Sequence, residues 1–435
     1  MMMSLVLGLL FSVIVSGLPS QPYIAGGHWT DIWASMPQLT EPANLPPAPY
    51  NQTGSVFVGA TVRQTIKASI AARQLRFRIS NAFGGTDLPI TAVTVALPSN
   101  QTAGISTINP RTVKKLTFSG SDSITVPNGA LAVSDPIDFP VKGQSILTIS
   151  IYLERGQLGN AITSHPGSRT TSWWSFGNEV SKADLTITDP NTQSAAHWYF
   201  ISAVEAWVPA NVRTFAIIGD SITDGRGSTN NANNRWPDLV LAKMQNNPFT
   251  SSIAVINQAA GGNRILADGL GPNAWSRIDR DVLAQSGVKY TMIFEGVNDL
   301  GTAEATTEAQ QAVADRVIQA YKQMIIRIHT FGIPVFGATI TPFMAPSNVT
   351  FQPYSHPTRE AARQKVNRWI RTSGAFDAVI DFDKILRDPA IPQQLNPMYD
   401  SGDYLHPNVA GYTELGNQFP LDVFRRFAGG VSGWN

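Results

Sequence analysis

The sequence predicts two folded parts of different class: an antiparallel β-sandwich of jelly-roll type over residues 25–210, then a three-layer α/β domain over residues 211–435. A signal segment is expected ahead of both, over residues 1–20. Two patterns carry this division. Up to about Pro209, short runs rich in Val, Ile, Thr and Phe alternate with turn residues, and no amphipathic helix of any length competes. From Val212 onward, short apolar strands alternate with helical stretches, the order that yields parallel strands joined by crossover helices. A chain of 435 residues is also long enough to divide into two cores.

Taken in order, residues 1–17 form an apolar run of signal-peptide length, followed by small residues and the polar, Pro-containing stretch 18–23. A secretory signal cleaved near residues 17–20 is expected, with a retained anchor as the alternative, although the run is short for a span of about 20 residues. Sequons at Asn51, Asn100 and Asn348 accord with export. In the first folded part, strands are expected at residues 55–61, 74–80, 90–97, 113–118 and 145–153, punctuated by N-A-F-G-G, P-N-G and L-G-N. In the second, strands are expected at 214–218, 253–256, 290–294, 334–339 and 378–380, with helices at 309–329, 359–372 and 409–427. Val313, Val317, Tyr321 and Met324 recur at helical spacing and predict one buried stripe. In such a domain ligands bind beyond the carboxyl ends of the strands.

Composition limits the chemistry. Lys+Arg number 32 against Asp+Glu 31, and charged residues make up 14% of the chain, where roughly 25% is usual. Nucleic acid is therefore not an expected partner, because phosphate binding needs a basic surplus. There is no cysteine, which removes disulfides, thiolate metal sites and cysteine nucleophiles together. Catalysis has to use oxygen or nitrogen groups.

The motifs fall where the topology wants them. F-A-I-I-G-D-S-I-T-D-G, residues 215–225, runs from a strand into Asp220 and Ser221. Ser221 there can act as a nucleophile whose backbone N–H faces a forming oxyanion, or equally as part of an Asp-Ser turn or helix cap. S-G-D-Y-L-H-P-N, residues 401–408, sets Asp403 three residues before His406, so the carboxylate can fix the imidazole tautomer while the ring takes a proton from Ser221. After the second strand, Gly262 offers an unobstructed N–H; after the third, Asn298 in E-G-V-N-D offers an amide. Read singly, Gly262 is a turn glycine and Asn298 an Asx-turn residue. Four such motifs in order at strand ends are hard to explain as turns.

Together, G-D-S-x-T, the glycine after the second strand, G-x-N-D and the terminal D-x-x-H-P resemble the SGNH hydrolases, also called GDSL esterases and lipases, over about residues 215–427. The resemblance implies Ser221 as nucleophile, Ser221, Gly262 and Asn298 as the oxyanion hole, Asp403 as orienter and His406 as base. It also implies a flavodoxin-like sheet and a reaction without cofactor or metal. Ala259 departs from the commoner glycine of the second motif, at a position with no donor role. Residues 29–38 and 76–84 resemble the β-domain that precedes the hydrolase domain in secreted members akin to arylesterases and carbohydrate esterases.

Other residues receive structural readings. Asp220, Asp224 and Asp299 are taken as turn and strand-end hydrogen-bonders, and Arg264 as a loop anchor. Trp173 and Trp174 are read as one core and one outward aromatic. His28, His165, His197, His329 and His356 lack the context of His406. The expectation is a secreted, extracellular serine esterase acting on uncharged or weakly charged esters such as an acylated polysaccharide, with no membrane span after signal cleavage. The alternatives are a lipase or other acylhydrolase, and an inactive carbohydrate-binding protein.

Overall fold

A computed structural model describes residues 26–186 and 189–432, so the expected signal segment lies outside the described residues. Every strand pairing before residue 210 is antiparallel. One sheet orders His28–Ala34, Ile201–Val208, Ala72–Ser80 and Leu131–Val133, with Ile137–Val141 also on Ala72–Ser80. The other orders Gln193–Ala195, Ser172–Phe176, Ala60–Lys67, Ile146–Leu153, Ala92–Ala96 and Lys114–Leu116. The period-2 alternation sends Leu75, Phe77 and Ile79 of the first sheet into the same core as Val62, Ile66, Ile149 and Ile151 of the second. The run expected at 55–61 is interrupted: Phe57 and Gly59 take positive φ and make a turn between Ser55–Val56 and Ala60–Lys67. Trp174 is fully buried and Trp173 only half-buried.

After Arg213 the pairing becomes parallel. The strands Arg213–Gly219, Ile253–Ala259, Val288–Phe294, Val335–Ala338 and Ala378–Ile380 lie in the order second, first, third, fourth, fifth. Alternate residues of the first strand face opposite ways. Ala216 and Ile218 pack with the helices Thr307–His329 and Pro357–Thr372, whereas Phe215 and Ile217 pack with Trp236–Gln245 and Val409–Gln418. Helices therefore cover both faces, giving three layers. Of the predicted stripe, Val317, Tyr321 and Met324 are buried and Val313 is half-buried. The helix expected over 409–427 ends at Gln418, and Asp422–Arg426 forms a separate turn of helix, because Pro420 cannot continue the backbone ladder.

The register positions the site. Gly219 at the end of the first strand pairs with Ala259 on one side and Phe294 on the other, so the segments carrying Ser221, Gly262 and Asn298 leave the sheet from a common edge. Strand order reverses around this first strand, and the crevice of an open α/β sheet forms at such a reversal. The antiparallel part closes over the sheet: Ser69 Oγ donates to Val255 O at 2.7 Å, and Thr214 Oγ1 to Asp31 O at 2.9 Å. Arg78 bridges Glu205 at 2.6 Å and Ser286 Oγ at 2.8 Å. Among the described residues no helix is long and apolar enough to cross a membrane.

Candidate active site

Asp220 has extended backbone and caps the one-turn helix Ser221–Asp224, its Oδ1 accepting Ile222 N–H at 2.9 Å. Ser221 is thus the first residue of a helix, where a backbone N–H has no intrahelical acceptor. Among the described residues that N–H has no protein acceptor either. Ser221 Oγ lies 2.7 Å from His406 Nε2, and His406 Nδ1 lies 2.7 Å from Asp403 Oδ2. The carboxylate at Nδ1 places the ring proton there and leaves Nε2 as the acceptor for the serine hydroxyl. Asp403 Oδ1 also accepts the N–H groups of His406 at 2.8 Å and Leu405 at 3.1 Å. Burial pushes the Asp403 carboxyl up, but the hydrogen bonds and charge of His406 outweigh it and hold the group well below the usual carboxylate range.

The other side of Ser221 carries donors. Gly262 has φ +71, which favours glycine, and a Cβ there would lie 2.5 Å from Leu270; its N–H donates to nothing among the described residues. Asn298 is 4% exposed and is held from both ends of its amide. Nδ2 donates to Asn263 O at 2.9 Å, and Oδ1 accepts from the Tyr354 hydroxyl at 3.1 Å. These two bonds fix which end is nitrogen and leave one N–H free to face the cleft. The structure thus brings Ser221, Asp403 and His406 into one hydrogen-bonded line and sets Gly262 and Asn298 on the same cleft.

Residues 217–413 match the family model described as GDSL-like Lipase/Acylhydrolase family. This segment is a GDSL-like lipase/acylhydrolase domain. Members of that family are ester hydrolases. Among solved structures, the chain is similar to a GDSL-like lipase from Bacteroides thetaiotaomicron VPI-5482 at 15% identity and TM-score 0.36, covering 50% of this chain and 91% of that one. It is also similar to a catalytic mutant of Axe2, an acetylxylan esterase from Geobacillus stearothermophilus, at 18% identity and TM-score 0.36, covering 48% and 94%. A third is Est24, a carbohydrate acetylesterase from Sinorhizobium meliloti, at 12% identity and TM-score 0.36, covering 47% and 94%. No curated protein matches the chain.

Beneath the cleft of the GDSL-like domain, buried charges brace the strand-end loops. Asp299 accepts the N–H groups of Ile265 at 2.8 Å and Leu266 at 2.9 Å, and burial pushes its carboxyl up to about 6. Asp220 and Glu295 are likewise pushed up by burial, helped by the nearby carboxylates of Asp299 and Asp224 for Asp220 and of Asp220 and Asp299 for Glu295. The fully buried guanidinium of Arg277 ties its own helical segment to the ends of the second and third strands. It donates to Asn263 Oδ1 at 2.9 Å, Asp281 at 3.0 Å and Glu295 at 3.2 Å, and to Gln258 O at 2.5 Å. Arg264 bonds Asp268 O within its own loop, as an anchor does. Among the described residues no three His, Asp or Glu side chains converge as a metal-binding group.

The cleft has a volume of about 450 Å³, and the antiparallel part contributes to its lining: Gln38, Glu41, Pro166, Arg169 and His197 share it with Ser221 and His406. His165 and His197 belong to the antiparallel part, as the sequence reads. From there His197, with Nδ1 bonded to Pro166 O at 2.7 Å, faces the cleft. His165 Nε2 reaches Asp224 Oδ1 at 3.0 Å while its Nδ1 bonds Met36 O, so Asp224 does more than end a turn. Gly167 permits that approach, since a Cβ there would sit 1.6 Å from Asp224 Oδ2. The other three histidines keep local roles. His28 bonds Thr30, His329 bonds Asp377, and His356 caps Pro357–Thr372. Tyr354 and Arg277 had no signal in sequence, since neither belongs to a motif. Residues 230–234, N-N-A-N-N, read as a polar loop, and the structure adds its contact with the antiparallel part, Asn231 N–H donating to Arg169 O at 2.8 Å.

Proposed function

We propose that this chain is a secreted serine esterase that hydrolyses carboxylic esters through an acyl-enzyme. The observation that carries the reading is the Ser221–His406–Asp403 line of two 2.7 Å hydrogen bonds, with unpaired N–H groups on Ser221 and Gly262 beside it. Ser221 Oγ attacks the ester carbonyl carbon as its proton passes to His406 Nε2. The oxyanion accepts from the N–H groups of Ser221 and Gly262 and from the free amide N–H of Asn298. Collapse expels the alcohol, which takes the proton from Nε2; water then attacks the acyl-serine, gives its proton to the same nitrogen, and releases the acid as Ser221 is restored. Asp403 holds the tautomer and stabilises the imidazolium.

The substrate in this reading is an O-acyl carbohydrate, with removal of acetyl groups preferred. Supporting it, the cleft is lined by Gln38, Glu41, Asn44, Arg169 and His197, polar groups suited to hydroxyl-rich partners. The domain division at about residue 210 and a jelly-roll-like sandwich for the first part belong to the same proposal, as does export on the residue 1–20 signal. Asn100 and Asn348 are exposed, as glycan attachment requires, and Asn51 is half-buried. Hydrolysis of 4-nitrophenyl acetate and acetate release from acetylated xylan, measured on wild type and S221A, test the reading. Loss of both activities in a folded S221A supports it; full retention overturns it. Exclusive action on triglyceride would instead favour a lipase.

A further inference from the structure

The cleft holds several charged side chains, and all but one have their charge engaged. Glu41 accepts from Gln38 and Asn44, Asp224 from His165, and Arg226 lies 3.7 Å from Asp403. Arg169 is the exception. Among the described residues no acceptor bonds its guanidinium and no carboxylate lies within ion-pair distance, and its Nε is buried without a partner. A buried guanidinium N–H left unpaired is costly unless a ligand supplies the acceptor.

The backbone holds this side chain in place. Arg169 has φ +49, a left-handed conformation uncommon for a side-chain-bearing residue. It is clamped there by the polar loop of the α/β part: Asn231 N–H donates to Arg169 O at 2.8 Å, and Asn231 Oδ1 accepts Thr171 N–H at 2.7 Å. The same loop adjoins the segment bearing His406. Tyr412 donates to Arg226 O at 2.6 Å, and Arg226 faces Asp403. Gly262 and Leu270 lie together at the oxyanion donors. His406 gives its proton to the departing alcohol, and the loop that clamps Arg169 packs against the residue after His406, since a Cβ on Gly227 would lie 2.3 Å from Pro407 O; this places Arg169 toward the alcohol half of an ester.

The geometry points to Arg169 as an anion subsite for the alcohol half of the substrate: the preferred esters are acyl esters whose alcohol carries a carboxylate, as in acylated uronic acids. Arg is suited to this because its planar fork binds a carboxylate through two parallel N–H donors. The inference rests on the esterase reading and narrows it. The near-neutral total charge of the chain does not oppose it, since the charge that matters is one unpaired cation at the site.

The test compares O-acetylated galacturonate oligomers with the same oligomers methyl-esterified at the carboxyl, using the full chain and 4-nitrophenyl acetate as a charge-free control. Wild type is expected to favour the free acid in kcat/KM by about 10- to 100-fold, the range for a charged hydrogen-bonded contact, chiefly through KM. The preference should shrink with added NaCl. In R169Q the acid-to-methyl-ester ratio falls to about one, and R169K restores part of it. A wild type that cleaves 4-nitrophenyl acetate without favouring the acid overturns this inference and leaves the esterase reading standing, as does an R169Q variant that keeps the wild-type ratio. A wild type inactive on all three overturns both.

Discussion

Replacing Asn298 with alanine tests how the amide contributes. In the proposed mechanism its side chain is the one oxyanion donor not supplied by backbone, and its orientation is set by Asn263 O at 2.9 Å and the Tyr354 hydroxyl at 3.1 Å. Removing such a donor costs about 2.7–4 kcal/mol of transition-state stabilisation, so kcat on 4-nitrophenyl acetate should drop roughly 100- to 1000-fold. KM should hardly change, because the ester carbonyl in the ground state carries little of the charge these donors meet. Tyr354→Phe is the subtler companion. It frees the Oδ1 end while Asn263 still holds Nδ2, and the loss of one hydrogen bond of about 1 kcal/mol predicts a fall of roughly fivefold. Steady-state kinetics, with circular dichroism and thermal melting to confirm folding, read both. An N298A variant that is folded and keeps kcat within about threefold of wild type would refute the donor role. A fall in Y354F as deep as in N298A would refute the division of labour between the two amide ends.

Three further outcomes follow from particular contacts. Gly262→Ala meets both positive φ and the Leu270 side chain, so a loss of about 1–2 kcal/mol in urea unfolding is expected together with a lower kcat; unchanged stability and rate would contradict the stated need for glycine. His165→Ala strands the buried Asp224 carboxylate and should destabilise the protein by about 3 kcal/mol, with H165A/D224A recovering part of the loss; a double variant less stable than the sum of the singles would count against the pair. Burial, opposed by Arg78 and aided by Glu205, pushes the Asp31 carboxyl from 3.8 up to about 7. The folded state then keeps a proton that the unfolded chain has released, so stability from this group is full below about pH 4 and is lost as pH rises to about 7, by up to about 4 kcal/mol. In D31N this dependence disappears, so the wild-type-minus-variant difference in unfolding free energy should fall between pH 4.5 and 7.5; a rise would reverse the sign of the argument.

Much of the candidate site was legible because its residues sit in short local motifs at strand ends. Asp403 and His406 are three apart, and the cap made by Asp220 is local to Ser221. The strands from 213 onward were legible for a similar reason: buried parallel strands read as apolar runs. The helix Trp236–Gln245, not singled out in sequence, carries Pro237 in its first turn, a readable start signal. Pro420 likewise marked the break in the last helix.

The sequence by itself determined the order of classes along the chain, the location of the candidate catalytic motifs and the absence of thiol chemistry. It did so because secondary-structure periodicity, caps and tight turns depend on neighbours a few residues away. Only the tertiary structure decided that residues of the antiparallel part line the cleft, that His165 meets Asp224, that Tyr354 holds Asn298, and that Arg169 lines the cleft without a partner among the described residues. Those pairings join residues separated by 59 positions for His165 and Asp224 and 56 for Tyr354 and Asn298. No periodicity reports on contacts at that range. The His165–Asp224 pair arises from the packing of one part against the other and the Tyr354–Asn298 pair from packing within the α/β part, both of which bring side chains from distant segments of the chain together.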